Sequence, residues 1–165
     1  MDEAAFDAFY EESFDRLVRQ IAAMCGNAAE AQDCVQEAFI RAWDHRRQLD
    51  PDRHPEAWVR TTAYRLSVSR WRKASKFMRA ADRSIMPEPP REPSPDRIAI
   101  DRAISRLPKE QREAIVLFHM GDLTIADIAA ETGSPIGTIK ARLSRARAAL
   151  AMYLTDALPE EASHA

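Results

Sequence analysis

A run of prolines divides this sequence into two parts. Residues 86–95, MPEPPREPSP, contain five of the ten prolines in the 165-residue chain. Proline lacks a backbone N–H and keeps the residue before it out of the α region, so this stretch is neither helix interior nor central strand. We therefore predict an extended linker over residues 80–97. It separates a first domain, 1–79, from a second domain, 98–158, which a short tail at 159–165 follows.

Both parts show the three- and four-residue apolar spacing of amphipathic helices. In residues 28–43 the apolar side chains recur at that spacing and form one face, which predicts a helix. A second helix is expected over residues 56–77, with Pro55 in its first turn. No segment alternates between apolar and polar residues as a half-buried strand would. With only four glycines and 45% hydrophobic residues, the chain is expected to be all-α.

The second part contains the start and stop signals of a helix-turn-helix. Leu107 and Pro108 end one helix and start another. Thr124, with an acidic residue three positions later, has the pattern of a capping box, and Gly133 ends the short helix that follows. Ser134 is then predicted to cap the last helix, with Pro135 as its first residue.

The last helix, residues 134–150, has a narrow apolar stripe and an opposite face of small and polar residues. The stripe consists of Ile136, Ile139, Leu143, Ala146 and Leu150. The outward residues are Gly137, Ala141, Ser144, Arg145 and Ala148, flanked by Thr138 and Lys140. Small residues allow a helix to sink into a groove, where Ser144 and Arg145 could reach base edges. This pattern predicts a DNA-reading recognition helix, and the alternative is a solvated amphipathic helix.

Charge is distributed unevenly along the chain, although the net charge is only −2. Residues 1–44 hold ten acids and three bases, a sum of −7, whereas residues 58–83 hold eight bases and one acid, a sum of +7. Trp58, Tyr64 and Trp71 are interleaved with these bases. Cations for phosphates and rings for bases suit single-stranded DNA. The alternative is that all three rings pack inside the domain.

The sequence lacks the motifs typical of metal-binding proteins, enzymes and membrane proteins. Cys25 and Cys34 are nine residues apart, without the spacing of a metal site, and are expected to be reduced thiols. The absence of a Gly-rich phosphate loop and of a nucleophile motif argues against an enzyme, and we expect no cofactor and no metal. No apolar run approaches the roughly 18–20 residues that span a membrane, and the acidic start is unlike a signal peptide. A cytoplasmic location is the expectation.

Three segments resemble a known family. Residues 107–150 closely resemble region 4 of bacterial sigma factors of the extracytoplasmic-function group, through the Leu-Pro start and the series Pro-x-Gly-Thr-x-Lys-x-Arg. Residues 33–43, DCVQEAFIRAW, resemble the region 2 signature, and residues 55–73 resemble the strand-opening part of region 2. The resemblance implies a sigma-70 region 2 helical bundle and a region 4 helix-turn-helix joined by the Pro-rich linker. It also implies a promoter-specificity subunit that directs transcription initiation by RNA polymerase.

The resemblance assigns roles to individual residues. Docking on the β′ clamp helices of core RNA polymerase is implied for Asp33, Gln36, Glu37 and Arg41. The loop at residues 50–54 would capture a base of the −10 element. The basic helix would grip the non-template strand through Arg60, Arg65, Arg70, Arg72 and Lys73. The −35 element would be read by Gly137, Thr138, Lys140, Ala141, Arg142, Ser144 and Arg145. Region 4 would also meet the β flap, and an anti-sigma protein is a further implied partner.

A stand-alone transcriptional regulator is the alternative from a different class. It would combine the helix-turn-helix with a sensing or dimerising helical domain and bind its operator without polymerase. Residues 33–43 carry a polar face beside a compact apolar stripe, without the sustained heptads that favour helix dimerisation.

Overall fold

The residues described by the computed structural model, 1–49, 54–78 and 95–157, contain helices and no strand. The chain divides into two compact units. The first contains α1 (Glu3–Cys25), α2 (Ala28–Asp44) and α3 (Pro55–Met78). The second contains α4 (Pro95–Arg106), α5 (Lys109–His119), α6 (Ile125–Thr132) and α7 (Ile136–Ala157). The prediction of an all-α chain with two helical domains is confirmed.

Three predicted segments fall largely outside the described residues: most of the linker, the tail at 159–165, and residues 50–53 of the expected base-capture loop. The predicted linker, residues 80–97, extends three residues too far at its end. Residues 95–97 belong to α4, which begins at Pro95. The fixed φ of proline and its missing N–H suit the first turn of a helix, and Asp96 adds a favourable acid there.

The first unit is a three-helix bundle in which each helix packs against the other two. Gly26 ends α1 in a left-handed conformation, with φ 78°, and its N–H donates to the Ala22 carbonyl at 2.8 Å. Asn27 then caps α2 by accepting a bond from the Glu30 amide at 3.0 Å. The predicted apolar face of α2 is buried: Ala31, Cys34, Val35, Ala38, Phe39 and Ala42.

The inward face of α3 is partly polar. Val59 and Ala63 are buried beside Arg60, which is only 4% exposed. The Arg60 guanidinium donates to Oε1 of Gln20 at 3.2 Å and lies 3.4 Å from Oε1 of Glu56. A buried charge requires such partners, because leaving it unpaired costs several kcal/mol. The expectation that Arg60 contacts DNA is therefore wrong: its side chain ties α3 to α1 inside the bundle.

In the second unit α7 packs against α4, α5 and α6. The buried residues of this core are Ala103, Leu107, Ala114, Ile115, Val116, Leu117, Ile128, Ile139, Leu143 and Ala146. Arg112 of α5 donates to the carbonyls of Ser105 and Leu107, at 2.9 and 3.0 Å. These bonds close the turn that Leu107 and Pro108 make between α4 and α5, so the start of α5 is fixed against the end of α4.

We expect Arg60→Ala to lower the free energy of unfolding of the first domain by about 1.5–3 kcal/mol, the range for hydrogen bonds to charged groups. Urea unfolding followed by tryptophan fluorescence measures this domain, because Trp43, Trp58 and Trp71 all lie in it. Arg65→Ala, at an exposed position of the same helix, is the control. Equal losses for the two variants would contradict the buried network.

Candidate nucleic-acid and protein interfaces

The turn between α6 and α7 is built by local hydrogen bonds. Thr124 Oγ1 accepts from the Asp127 amide at 3.2 Å, and Asp127 Oδ2 accepts from the Thr124 amide at 3.1 Å, which completes the predicted capping box. Gly133 ends α6 with φ 67°, a conformation that favours glycine. The helix after the turn begins at Ile136, one residue later than predicted. Ser134 lies just outside it, and its hydroxyl accepts from Arg142 at 3.0 Å.

The centre of the predicted apolar stripe of α7 is buried and its two ends are not. Ile139, Leu143 and Ala146 are buried, whereas Leu150 is half-buried and Ile136 is 50% exposed. Ile136 begins the helix, one turn before the first residue of α7 that reaches the core. The outward residues Gly137, Lys140, Ser144 and Arg145 are exposed, and Thr138, Ala141 and Arg142 are half-buried.

A shallow groove runs between α7 and the N-terminal turn of α5. Its walls are Pro108, Glu110, Gln111, Gly137, Thr138, Ala141, Arg142 and Arg145. Five of the seven residues predicted to read the −35 element therefore line one groove, while Lys140 and Ser144 do not line it. Glu110 and Gln111 were not singled out from the sequence. The Leu-Pro signal located the start of α5, but the side of α7 beside which it lies depends on tertiary packing.

Arg142 is held at the inner edge of this groove. Besides its bond to Ser134, it lies near Glu113, whose carboxyl group is half-buried. Burial raises the pKa of Glu113, and the nearby cations Lys109 and Arg142 oppose that rise. Arg142 thus stabilises the turn and the half-buried Glu113, whereas Lys140 and Arg145 are exposed to solvent.

The cations of the basic face of α3 differ in how far they are exposed. Arg65, Arg72 and Lys73 are exposed, as predicted for a DNA-binding face. Arg70 is 37% exposed, and its Nη2 donates to Oε2 of Glu37 at 2.8 Å. Its Nη1 lies 3.4 Å from Oε1 of Glu30. Two cross-helix contacts therefore join Arg70 to α2.

The aromatic rings of α3 do not share one environment. Trp58 and Tyr64 are half-buried, and the Trp58 ring lies 5.8 Å from that of His45. Trp71 is 69% exposed. The alternative that all three rings pack inside the domain therefore fails for Trp71, which follows Arg70 and lies among the cations at the end of α3.

The exposed face of α2 combines polar groups with one large apolar side chain. Asp33, Gln36 and Arg41 are exposed, as predicted for a protein-binding face. Ile40, 60% exposed, lies among them and was not singled out from the sequence. A hydrogen bond from Arg41, and then one from Arg70, lowers the pKa of Glu37, so this carboxylate is ionised at neutral pH.

The two cysteines, Cys25 and Cys34, are reduced thiols. Burial raises the pKa of Cys34 to about 12. A thiol with such a pKa is a poor nucleophile and metal ligand at neutral pH. Within the described residues, no group of three His, Cys, Asp or Glu residues is placed to hold a metal. None of the described helices has the length and apolar character needed to cross a membrane.

Two family models match this sequence, one on each unit. The model described as Sigma-70 region 2 matches residues 9–77. The model described as Sigma-70, region 4 matches residues 97–150. The matched segments hold most of α1, all of α2 and nearly all of α3 in the first unit, and most of α4, all of α5 and α6 and most of α7 in the second.

Relatives and solved structures cover nearly the whole chain. The ECF RNA polymerase sigma factor SigL of Mycobacterium tuberculosis is 31% identical over 163 residues, 94% of this chain and 92% of that protein. RpoE of Cereibacter sphaeroides is 31% identical over 168 residues, 93% and 88% of the two chains. The sigma factor RpoE of Bartonella quintana, solved with the anti-sigma factor NepR, gives a TM-score of 0.78 at 27% identity, over 91% and 96% of the two chains.

We expect Glu113→Gln to stabilise the second domain at pH 7. Burial raises the pKa of the Glu113 carboxyl group above its unfolded pKa of about 4.5. The protonated group therefore favours the folded state below about pH 4.5, and this contribution is lost as the pH rises through the folded pKa. The gain should therefore disappear below about pH 4.5. Urea unfolding, followed by the methyl NMR signals of Ile115 and Leu117, measures the free energy of unfolding of this domain.

Glu110→Gln is the matched control for this measurement. Glu110 is exposed in the first turn of α5, where an acid interacts favourably with the helix dipole. Its replacement should slightly destabilise the domain at pH 7. A stabilisation by Glu113→Gln that persists unchanged at pH 4 would contradict the assignment to charge burial.

Proposed function

This chain belongs to the sigma-70 family, in the extracytoplasmic-function group of RNA polymerase sigma factors, and we propose which of its surfaces performs each step of promoter recognition. It is a promoter-specificity subunit that acts with core RNA polymerase in transcription initiation. The observation that carries the assignment of surfaces is the capped helix-turn-helix, which holds α7 with a face of small residues and cations toward solvent.

The outward face of α7 is proposed to read the −35 element. An Arg with free access to a groove can pair with guanine, and flanking cations such as Lys140 can meet phosphates. A Cβ built on Gly137 meets no atom within 4 Å, so packing within the domain does not require glycine there. The missing side chain instead leaves room for DNA to approach the start of the helix. Arg142 is proposed to act from the groove edge, tied to Ser134.

The end of α3 is proposed to hold the −10 element as single-stranded DNA. Arg65, Arg72 and Lys73 supply cations for phosphates. The exposed ring of Trp71 is a platform on which an unpaired base can stack. Arg60 has no part in this surface, because it is buried in the bundle.

The exposed face of α2 is proposed to dock on the β′ clamp helices of core polymerase through Asp33, Gln36, Glu37 and Arg41. Ile40 adds apolar area at the centre of these polar groups, an arrangement that resembles the core and rim of protein interfaces. The second domain is proposed to meet the β flap. The cytoplasm, where polymerase meets the chromosome, is the proposed place of action.

An anti-sigma protein is proposed as the partner of the free chain. The Bartonella quintana relative, similar over 91% of this chain, was solved in complex with an anti-sigma factor. A protein that covers the α2 face or the α7 face would block polymerase or promoter binding directly, since both faces are exposed in this structure.

Run-off transcription with purified core polymerase over a promoter library tests the proposed assignment. The chain should direct initiation only when polymerase is present, at templates that share two spaced elements. A stand-alone regulator would instead select its operator without polymerase. High-affinity, sequence-specific binding by the purified chain alone would contradict the proposal.

On a promoter from that library, Arg145→Ala should reduce transcription about 5- to 150-fold, the equivalent of 1–3 kcal/mol per base contact. Affinity for core polymerase should not change. Arg147→Ala is the control, because Arg147 is an exposed cation of the same helix that lies 5.1 Å over the Phe118 ring. A loss of polymerase binding by Arg145→Ala, or an equal effect of the control, would rule out the groove assignment.

Gly137→Ala should separate stability from recognition. Because Ala favours a helix over Gly and its methyl group meets open space, the second domain should gain about 0.5 kcal/mol in urea unfolding. The same methyl group should hinder close approach to DNA and lower transcription from the −35-dependent promoter. Unchanged transcription would show that Gly137 does not face DNA.

A further inference from the structure

The carboxylate of Glu37 connects the proposed polymerase-binding face of α2 with the proposed DNA-binding face of α3. Oε1 of Glu37 accepts from Arg41, within the docking face. Oε2 of Glu37 accepts from Arg70 at 2.8 Å, across the two helices. Glu30, two turns earlier on α2, accepts from the other arm of the same guanidinium at 3.4 Å. In this structure Arg70 therefore faces two acids.

Arg70 is close to the exposed residues at the end of α3. It lies between the exposed Ser69 and the exposed Trp71 and Arg72, so its long side chain starts beside the proposed DNA-binding surface. Its pairs are not buried: the side chains of Arg70, Glu37 and Glu30 are 37%, 36% and 34% exposed. Ion pairs with such exposure are weak and are exchanged readily for other partners.

We propose that the Glu30–Arg70–Glu37 contacts hold Arg70 away from DNA in the free chain, and that polymerase docking on α2 releases it for a phosphate of the −10 strand. The proposal rests on the proposed function and specifies how its two surfaces are coupled. A cationic or hydrogen-bonding group of polymerase that takes Glu37 removes the closer of the two Arg70 partners. Polymerase binding and DNA binding then favour each other by the same factor.

Such coupling has a direct use in a subunit that dissociates from polymerase. The free chain carries a cationic helix end, which attracts any nucleic acid without regard to sequence. Acids that occupy one of its cations weaken this attraction until the docking face is engaged. Because the contacts are exposed pairs, the expected effect is several-fold rather than all-or-none.

The first test measures binding of the free, full-length chain to a fluorescein-labelled oligothymidylate of about 16 nucleotides, long enough for one binding groove. Glu37→Gln should bind about 2- to 5-fold more tightly than the wild type at low salt, since exposed pairs contribute up to about that factor. The slope of log K against log salt should steepen by about 0.7, the contribution of one added phosphate contact to a single strand.

Asp44→Asn is the matched control for charge. Asp44 is an exposed acid seven residues after Glu37, hence on the same face of α2, and it forms no ion pair within the described residues. Its replacement removes the same charge without releasing Arg70, so the salt slope should stay at the wild-type value. In an Arg70→Gln background, Glu37→Gln should add nothing. Equal effects of Asp44→Asn and Glu37→Gln, or a gain that persists without Arg70, would overturn the proposal.

The second test compares Arg70→Gln in two settings. In the free chain it should change oligothymidylate affinity less than 2-fold, because the cation is already occupied. With core polymerase, Arg70→Gln should reduce run-off transcription by more than about 2-fold. Equal losses in both settings would show that Arg70 is available to DNA from the start, which contradicts the proposal.

These outcomes are distinct from a failure of the proposed function. If the wild-type chain gives no run-off product with core polymerase, the functional assignment fails, while the binding measurements on the free chain still decide whether Glu37 restrains Arg70. If the wild type transcribes and Glu37→Gln leaves the salt slope unchanged, only the coupling is refuted.

Discussion

Polar contacts between helices decide which cations of the first domain are left on its surface. The segment that contains α1 and α2 is strongly acidic, and α3 brings most of the positive charge. Arg70 of α3 pairs with Glu37 of α2, whereas Arg60 lies beside Glu56 of its own helix and donates to Gln20 of α1. The cations left over, including Arg65 and Lys73, face solvent. These contacts therefore divide α3 into a side that is tied to the bundle and a side of cations that face solvent.

The features that the sequence predicted well are those set by local chemistry. The apolar face of α2 follows from a spacing of three and four residues, and all but one of its predicted members, the half-buried Trp43, are buried. The Thr124 cap and the left-handed Gly133 follow from preferences of single residues. Because these signals need no knowledge of the third dimension, they located the helix-turn-helix to within one residue.

The errors and omissions concern residues whose role depends on neighbours distant in sequence. The inward face of α3 is made of Val59, Ala63, Ser67 and an arginine, and small or polar residues give no apolar periodicity to detect. Nothing near Arg60 in sequence shows that Gln20, forty residues earlier, will accept its hydrogen bond. Similarly, Gln111 reaches the groove beside α7 only because of how α5 packs. Local patterns identify a charged residue but do not decide whether it faces a partner or the core.

Residues that the fold does not need are the best guide to function in this chain. Ile40, Trp71 and Gly137 contribute little to packing: two are large apolar side chains left in solvent, and the third is a glycine with open space above it. They lie on three different surfaces, in two domains with separate cores. Tethered binding sites gain affinity together once a partner fixes their separation, so surfaces divided between two domains suit a promoter-specificity subunit that acts with core RNA polymerase.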